Sequence, residues 1–430
     1  MKFVSTRGAT PPTGIDDALI AGLAPDGGLY VPERIPAFES LGTATTSLAD
    51  TATSVLAPYF AESRLRDVLP ALCARAYDFE APLVAMRGAG DSLLELFHGP
   101  TAAFKDYAAR FLAEALGALR ADDAPITTIL VATSGDTGAA VAGAFHRRPG
   151  FEVVILYPDG RVSPRQAHGL ECWGDNVRTF RVAGSFDDCQ RMAKAALSDR
   201  DLRERMALTS ANSISLGRLL PQVAYYAHTA LRFHAQHHAP LNLIVPTGNL
   251  GNAAAALVAK RMGLPIGEIV LASNANDVLP RYFSGRDYAP EATKATLANA
   301  MDVGAPSNFE RLRHWHESDA GLRGALSAHA VGDATIRATI ATAAERHGIV
   351  PCPHTACGLH VLETLRAQGD TRPWTVVATA HPAKFDSIVE PLVGHAVEVP
   401  PALADCLSRP AHGESLAADE AALRGRLLTR

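Results

Sequence analysis

A basic excess is the first thing this sequence does without. Lys and Arg number 40 against 45 Asp and Glu, a net charge of −5. That is too small and of the wrong sign for a dedicated nucleic-acid binder, whose footprint is a clustered positive surface. A membrane-spanning run is missing too. The longest uncharged stretch, Ala239 to Ala259, has the length to cross a bilayer, but Pro246, Thr247, Gly248, Asn249, Gly251 and Asn252 interrupt it with polar groups that are costly in lipid. The opening MKFVSTRGATPPTG lacks the apolar core of a secretion signal, so the cytoplasm is the expected location. Cysteine is sparse. Six of them, at 73, 172, 189, 352, 357 and 406, are too scattered for a disulfide framework and are expected as reduced, half-buried core thiols.

What remains is a globular chain with ample apolar surface, 47% hydrophobic and 20% charged, which excludes wholesale disorder. Its 430 residues exceed one ordinary core and predict two or three domains. The 34 Gly and 28 Pro supply the turns of a protein with many short connections. Runs rich in β-branched residues at 126–132, 151–157, 177–182, 241–245, 268–272 and 374–378 are near-continuously apolar, as strands buried on both faces of a parallel sheet must be. Helical patterns lie between them. One opens at Ser185, where Ser185-Phe-Asp-Asp188 has the form of a capping box. Alternating strands and helices over 250 residues predict α/β architecture, in two open parallel sheets rather than one. The first 80 residues differ. Helical segments at 48–60 and 64–76, separated by Pro-rich turns, predict a small, mostly helical N-terminal domain ending near Ala81-Pro82.

In open α/β sheets, ligands sit at the carboxyl ends of strands. Three such ends carry Gly and small polar residues: Thr133-Ser134-Gly135-Asp136-Thr137-Gly138, Pro246-Thr247-Gly248-Asn249-Leu250-Gly251-Asn252, and Thr379-Ala380-His381-Pro382. The second makes the strongest anion site, since glycines allow close backbone approach and a helix start offers unpaired N–H groups. Neither Gly loop has the lysine and hydroxyl of a P-loop, and neither has the G-x-G-x-x-G spacing of a dinucleotide fold. Singly, each is equally a plain strand-to-helix turn. Together they suggest a phosphorylated cofactor beside an amino acid, or one substrate bearing phosphate and carboxylate. Lys105 falls in the first turn of a helix whose apolar face is Phe104, Ala108, Phe111, Leu112, Ala115 and Leu119. A lysine there is either a snorkelling surface residue or an amine whose pKa is lowered by the positive helix end and by Phe104 and Tyr107. In the second case it can form a Schiff base with a carbonyl.

The segments FHGPTAAFKDYAARF, ATSGDTGAAVAGAF, ILYPDGRVSPRQ, SANSISLGRLLPQ, PTGNLGN, NANDVLPRY, ATLANAMDVGAPSN and ATAHPAKF, with DGGLYVPE near the start, resemble in this order those of the bacterial threonine synthases. Lys105 precedes Ser134 by 29 residues and Gly248 by 143, and the three motifs at those spacings are far more specific than any alone. The resemblance implies an α/β enzyme of fold type II dependent on pyridoxal 5'-phosphate (PLP), with the cofactor between two mostly parallel-sheet domains. The implied division is an N-terminal domain at 1–80, a large PLP-binding domain from 81–110 and 221–430, and a small α/β domain at 111–220. The implied reaction, the last step of threonine biosynthesis, converts O-phospho-L-homoserine and water to L-threonine and phosphate by γ-elimination and β-hydration.

By the same resemblance, Lys105 holds the cofactor as a Schiff base, and Gly248, Asn249, Leu250, Gly251 and Asn252 cradle its phosphate. Thr379 partners the pyridine nitrogen, and Asp136 lies near the cofactor's 3-oxygen, where dehydratase-like relatives usually carry asparagine. Thr133, Ser134, Gly135 and Thr137 hold the substrate carboxylate. Asn212, Ser213 and Arg218 are candidates for the substrate phosphate, Arg218 being equally readable as a surface salt-bridge partner. Two departures, Leu250 for the commoner Phe and Asn252 for an acidic residue, bear on cofactor packing. The implied partner is a small molecule, with no nucleic acid or membrane, in a monomer or homodimer. A related PLP lyase (a serine/threonine dehydratase, or a phospho-lyase giving 2-oxobutyrate) is the alternative, and a non-enzymatic binding protein a third reading. Cys352-Pro-His354-Thr-Ala-Cys357 fits no zinc pattern and reads as a turn entering a helix at 355–367, so no metal site is expected. His98 and His381 flank the candidate site, with packing the safer expectation for both.

Overall fold

The computed structural model describes residues 1–38, 47–88 and 90–429. Two open sheets carry the fold. The larger has the strand order Ser327–Ala330, Ile266–Ser273, Leu241–Pro246, Thr375–Ala378, Ser92–Glu95, Leu83–Ala85, parallel throughout except for its last pair. The smaller runs Gly413–Ala417, Val177–Ala183, Phe151–Pro158, Thr127–Ala132, Ala207–Thr209, all parallel. The apolar runs seen in the sequence are the central strands of these sheets. Leu241–Pro246 is buried at all six positions, as strands covered by helices on both faces must be. The capping box at Ser185 forms: Ser185 Oγ accepts from Asp188 N at 3.2 Å, and Asp188 Oδ2 accepts from Ser185 N at 2.9 Å.

The N-terminal segment is less purely helical than expected. Phe3–Ser5 and Tyr30–Pro32 form an antiparallel pair beside the helices Ile15–Ala21 and Leu48–Phe60. The helix expected over 64–76 begins only at Leu69, after a 3₁₀ turn at Arg66–Val68. Pro70 has no N–H to extend an α-helix from further back, but it fits a first turn. A second correction concerns the C-terminus. The expected unit 221–430 is split, because Gly413–Ala417 pairs with Val177–Ala183 on the smaller sheet. Leu416, Leu423 and Leu427 there share a core with Leu130, Val154, Phe180 and Met192. The helix Lys105–Leu119 likewise runs unbroken through the expected boundary at 110/111. All six cysteines are fully buried free thiols rather than half-buried ones. Among the described residues no helix is long and apolar enough to cross a membrane.

Candidate active site

One cavity collects nearly every candidate. Lys105, Thr133, Ser134, Asp136, Thr137, Asn212, Ser213, Arg218, the whole loop from Gly248 to Asn252 and Thr379 line its wall. Gly135 does not. It stands behind the wall at φ 133°, and a Cβ there would lie 2.8 Å from Gln166 Nε2, so its contribution is the shape of the turn.

Lys105 is the first residue of the helix Lys105–Leu119. The preceding residue is pinned to the larger sheet, since Phe104 N donates to the Thr379 carbonyl at 2.9 Å. Strand end and helix start therefore hold Thr379 and Lys105 side by side. Burial pushes the amine down to about 8, Arg218 and Lys384 push the same way, and Asp136 opposes them. The amine stands 5.7 Å from the Phe104 ring centroid, whereas Tyr107 is turned into the core against Phe79 and Tyr225 and does not flank it.

The 248–252 loop joins Leu241–Pro246 to the helix Gly251–Arg261. Gly248 passes so close to its neighbour that a Cβ would sit 2.6 Å from Met301 Cα. Leu250 takes a left-handed conformation, φ 63°, a strained state for a bulky side chain at the cap of the helix Gly251–Arg261. At Gly251 a Cβ would meet no protein atom nearer than 3.7 Å. Among the described residues no acceptor takes a hydrogen bond from the N–H groups of Gly248 to Asn252. Asn249 builds the loop rather than lining it alone: Nδ2 donates to Ser213 Oγ at 2.6 Å and Oδ1 accepts from Ser307 N at 2.5 Å. Asn252 Oδ1 accepts from the hydroxyls of Tyr225 and Tyr226 at 2.6 and 2.8 Å, a pairing that needs no charge at this position, and its Nδ2 has no partner.

Arg218 is not on the surface. It is 2% exposed, Nη1 donates to the Ala211 carbonyl at 2.6 Å, and Nε is without a partner. No carboxylate pairs with it among the described residues, and burial lowers its pKa to about 10. A buried guanidinium facing a cavity without a counter-ion is a site for an anion. Asn212 Nδ2 donates to the Ala132 carbonyl at 3.3 Å, and its Oδ1, an acceptor, has no partner. The amide-lined cradle, the free Asn252 donor and the amine of Lys105 fit a cofactor with one phosphate and one aldehyde, and Arg218 stands apart from them as a second anion site.

The 133–137 loop is arranged differently. Thr133 Oγ1 accepts from Gly135 N and Gly138 N, both at 3.0 Å, so this hydroxyl staples the turn instead of reaching for a ligand. Asp136, 4% exposed, opens the helix Asp136–Phe145 and pairs with Lys384 Nζ at 2.7 Å. Burial raises its pKa, but Lys384 and then Lys105 pull it well below the carboxylate range. Sequence reasoning passed over Lys384, although it lies in the quoted ATAHPAKF segment, and read His354 only as part of a turn. His354 lines the cavity, and its Nε2 accepts from Ala300 N at 3.1 Å, which leaves the ring neutral and its pKa at about 4 through burial. Cys352 caps the helix Pro353–Ala367. His98 pairs with Glu95, and His381 Nδ1 accepts from Ala383 N; neither lines the cavity.

Three family descriptions match the chain: "Pyridoxal-phosphate dependent enzyme" over residues 93–382, "Threonine synthase N terminus" over 2–77, and "Threonine synthase, C-terminal" over 355–425. The threonine synthase of Escherichia coli is 37% identical over 427 residues, covering 99% of this chain and 98% of its own. The chain belongs to the threonine synthase family. That of Haemophilus influenzae is 38% identical over 96% of both chains. Among solved structures, the Escherichia coli enzyme superposes with a TM-score of 0.91 at 36% identity over 100% of this chain and 99% of its own. The PLP-bound threonine synthase of Brucella melitensis gives 0.88 at 35% identity, over 99% and 98%. The family is PLP-dependent, and PLP has the phosphate and aldehyde that the cavity fits.

Proposed function

We propose that the chain converts O-phospho-L-homoserine and water to L-threonine and phosphate. The observation that carries this reading is the convergence on one cavity of Lys105, an amide-lined loop at 248–252 and a buried guanidinium without a counter-ion, Arg218. Two separate anion sites beside one amine suit a phosphorylated cofactor and a phosphorylated substrate. The reaction removes protons from Cα and Cβ, expels phosphate from Cγ and adds water at Cβ. PLP, when bound, supplies the electron sink that makes the carbon protons removable.

The rest falls to the protein. The Lys105 amine would hold the cofactor by its aldehyde, and the same amine, when free, would stand in the cavity beside the substrate carbons. With a pKa of about 8 it can take up and return a proton near neutrality, as a general base and acid must. The 248–252 amides and the positive end of the helix Gly251–Arg261 hold the cofactor phosphate. Thr379 offers the ring nitrogen a neutral hydroxyl. Ser134 and Thr137 face the substrate carboxylate. Arg218, with Asn212 and Ser213, takes the substrate phosphate before and after it leaves. The enzyme works on a small molecule in the cytoplasm, as a monomer or homodimer, without nucleic acid.

The test is to mix purified protein, PLP and O-phosphohomoserine and follow phosphate and threonine together. Equal amounts of both are expected. Phosphate released with 2-oxobutyrate in place of threonine would overturn the reading in favour of a phospho-lyase.

A further inference from the structure

Asp136 is the only carboxylate on the cavity wall among the described residues, and Lys384 holds it. Lys384 lies in the short turn Pro382–Phe385 and is 3% exposed. Its ammonium donates to Asp136 Oδ1 at 2.7 Å and to the Thr101 carbonyl at 2.8 Å. Thr101 belongs to the turn that leads into Lys105, and its own N and Oγ1 donate to the two oxygens of Asp106. Lys384 therefore links the turn before Lys105 to the start of the helix Asp136–Phe145. A buried ion pair is a poor device for stability, because desolvation offsets the attraction. This one changes what the neighbouring amine meets. Without Lys384, the Asp136 carboxylate would face the Lys105 ammonium alone and hold it charged, unable to attack a carbonyl.

We propose that Lys384 is a positioning residue that pairs with Asp136 and so weakens the hold of that carboxylate on Lys105, which makes no ion pair among the described residues and is left to capture the cofactor aldehyde as a neutral amine. The inference deepens the functional reading above and rests on it. In the capture, Lys105 Nζ forms a double bond to the aldehyde carbon, and the aldehyde oxygen leaves as water with two hydrogens from nitrogen. The other charged and titratable groups around the amine do not replace this arrangement. Arg218, which also lines the cavity, adds positive charge, and His354, on the helix Pro353–Ala367, is neutral at the pH of interest. Asp106, on the same helix as Lys105, is engaged by Thr101. Lys194 is exposed on the helix Phe186–Ser198.

The experiment reads cofactor capture by the apoprotein, not turnover. Added PLP is followed by the absorbance of the bound form across pH 6 to 10, with borohydride reduction and peptide mapping to confirm attachment at Lys105. Wild type is expected to capture faster as pH rises through about 8. Lys384→Met should move that limb upward, making capture about tenfold slower at a fixed pH below it, while Lys384→Arg, which keeps the charge, should restore it. The neutral double variant Lys384→Met with Asp136→Asn should place the limb at or below the wild-type position. A Lys384→Met limb that superimposes on wild type, or a double variant displaced upward as far as the single one, overturns the proposal. If Lys384→Met does not fold, Asp136→Asn decides: its limb must move down, and an unmoved limb overturns the proposal equally. Wild type that captures no PLP at Lys105 would instead remove the functional reading itself.

Discussion

The loops 133–137 and 248–252 look alike in sequence, each a strand end, a glycine-bearing turn and a helix, yet the protein uses them in opposite ways. The first satisfies itself. Thr133 consumes the amides of Gly135 and Gly138, and a carboxylate, Asp136, sits on the helix start and is matched by Lys384. The second leaves its amides free, carries no acid, and lines the cavity through a turn with a left-handed Leu250. A helix N-terminus attracts an anion. Whether a ligand or a side chain supplies that anion decides which loop binds phosphate.

The sharpest break in the comparison is at the amine both loops face. Lys105→Ala should abolish threonine formation, by at least about a thousandfold for loss of a covalent catalyst, and leave no cofactor attached after reduction. Next come two glycines of one loop. Gly248→Ala forces a Cβ to within 2.6 Å of Met301 Cα, so both melting temperature and PLP affinity should fall, the stability by about 1–3 kcal/mol, as overpacking does. Gly251→Ala, whose Cβ has room against protein, should keep the melting temperature of the apoprotein and lose PLP affinity about tenfold or more. Calorimetry and cofactor titration separate the two. In the other loop, Thr133→Val removes the acceptor of two buried amides and should cost about 1–3 kcal/mol of stability, with a higher KM and little change in PLP affinity. Smallest is Thr379→Asp. A charged partner would keep the ring nitrogen protonated, and a greater 2-oxobutyrate share of the product is expected; an unchanged product ratio would remove that role from Thr379.

Those differences set what could be read in advance. The central strands were legible because burial on both faces demands continuous apolar runs. Leu83–Ala85, Ala207–Thr209 and Gly413–Ala417 were not, since three to five residues at or near sheet edges carry little pattern. Lys105 and both loops were legible as motifs at fixed spacings. Lys384 was not, because nothing local distinguishes a lysine in a turn from one whose ammonium reaches a carboxylate on the other sheet's helix. Arg218 read equally as a surface or a ligand residue for the same reason, since its burial depends on elements distant in sequence. Thr133 was assigned to the substrate by resemblance, and only the hydrogen bonds to Gly135 and Gly138 show that its hydroxyl is already engaged.

The central claim is that Lys105 alone is the amine that meets the aldehyde. Reducing the PLP-loaded protein with borohydride and mapping the labelled peptide by mass tests it most directly. The account predicts a single phosphopyridoxyl group on Lys105; a label on Lys384 or any other lysine, or none, would contradict it.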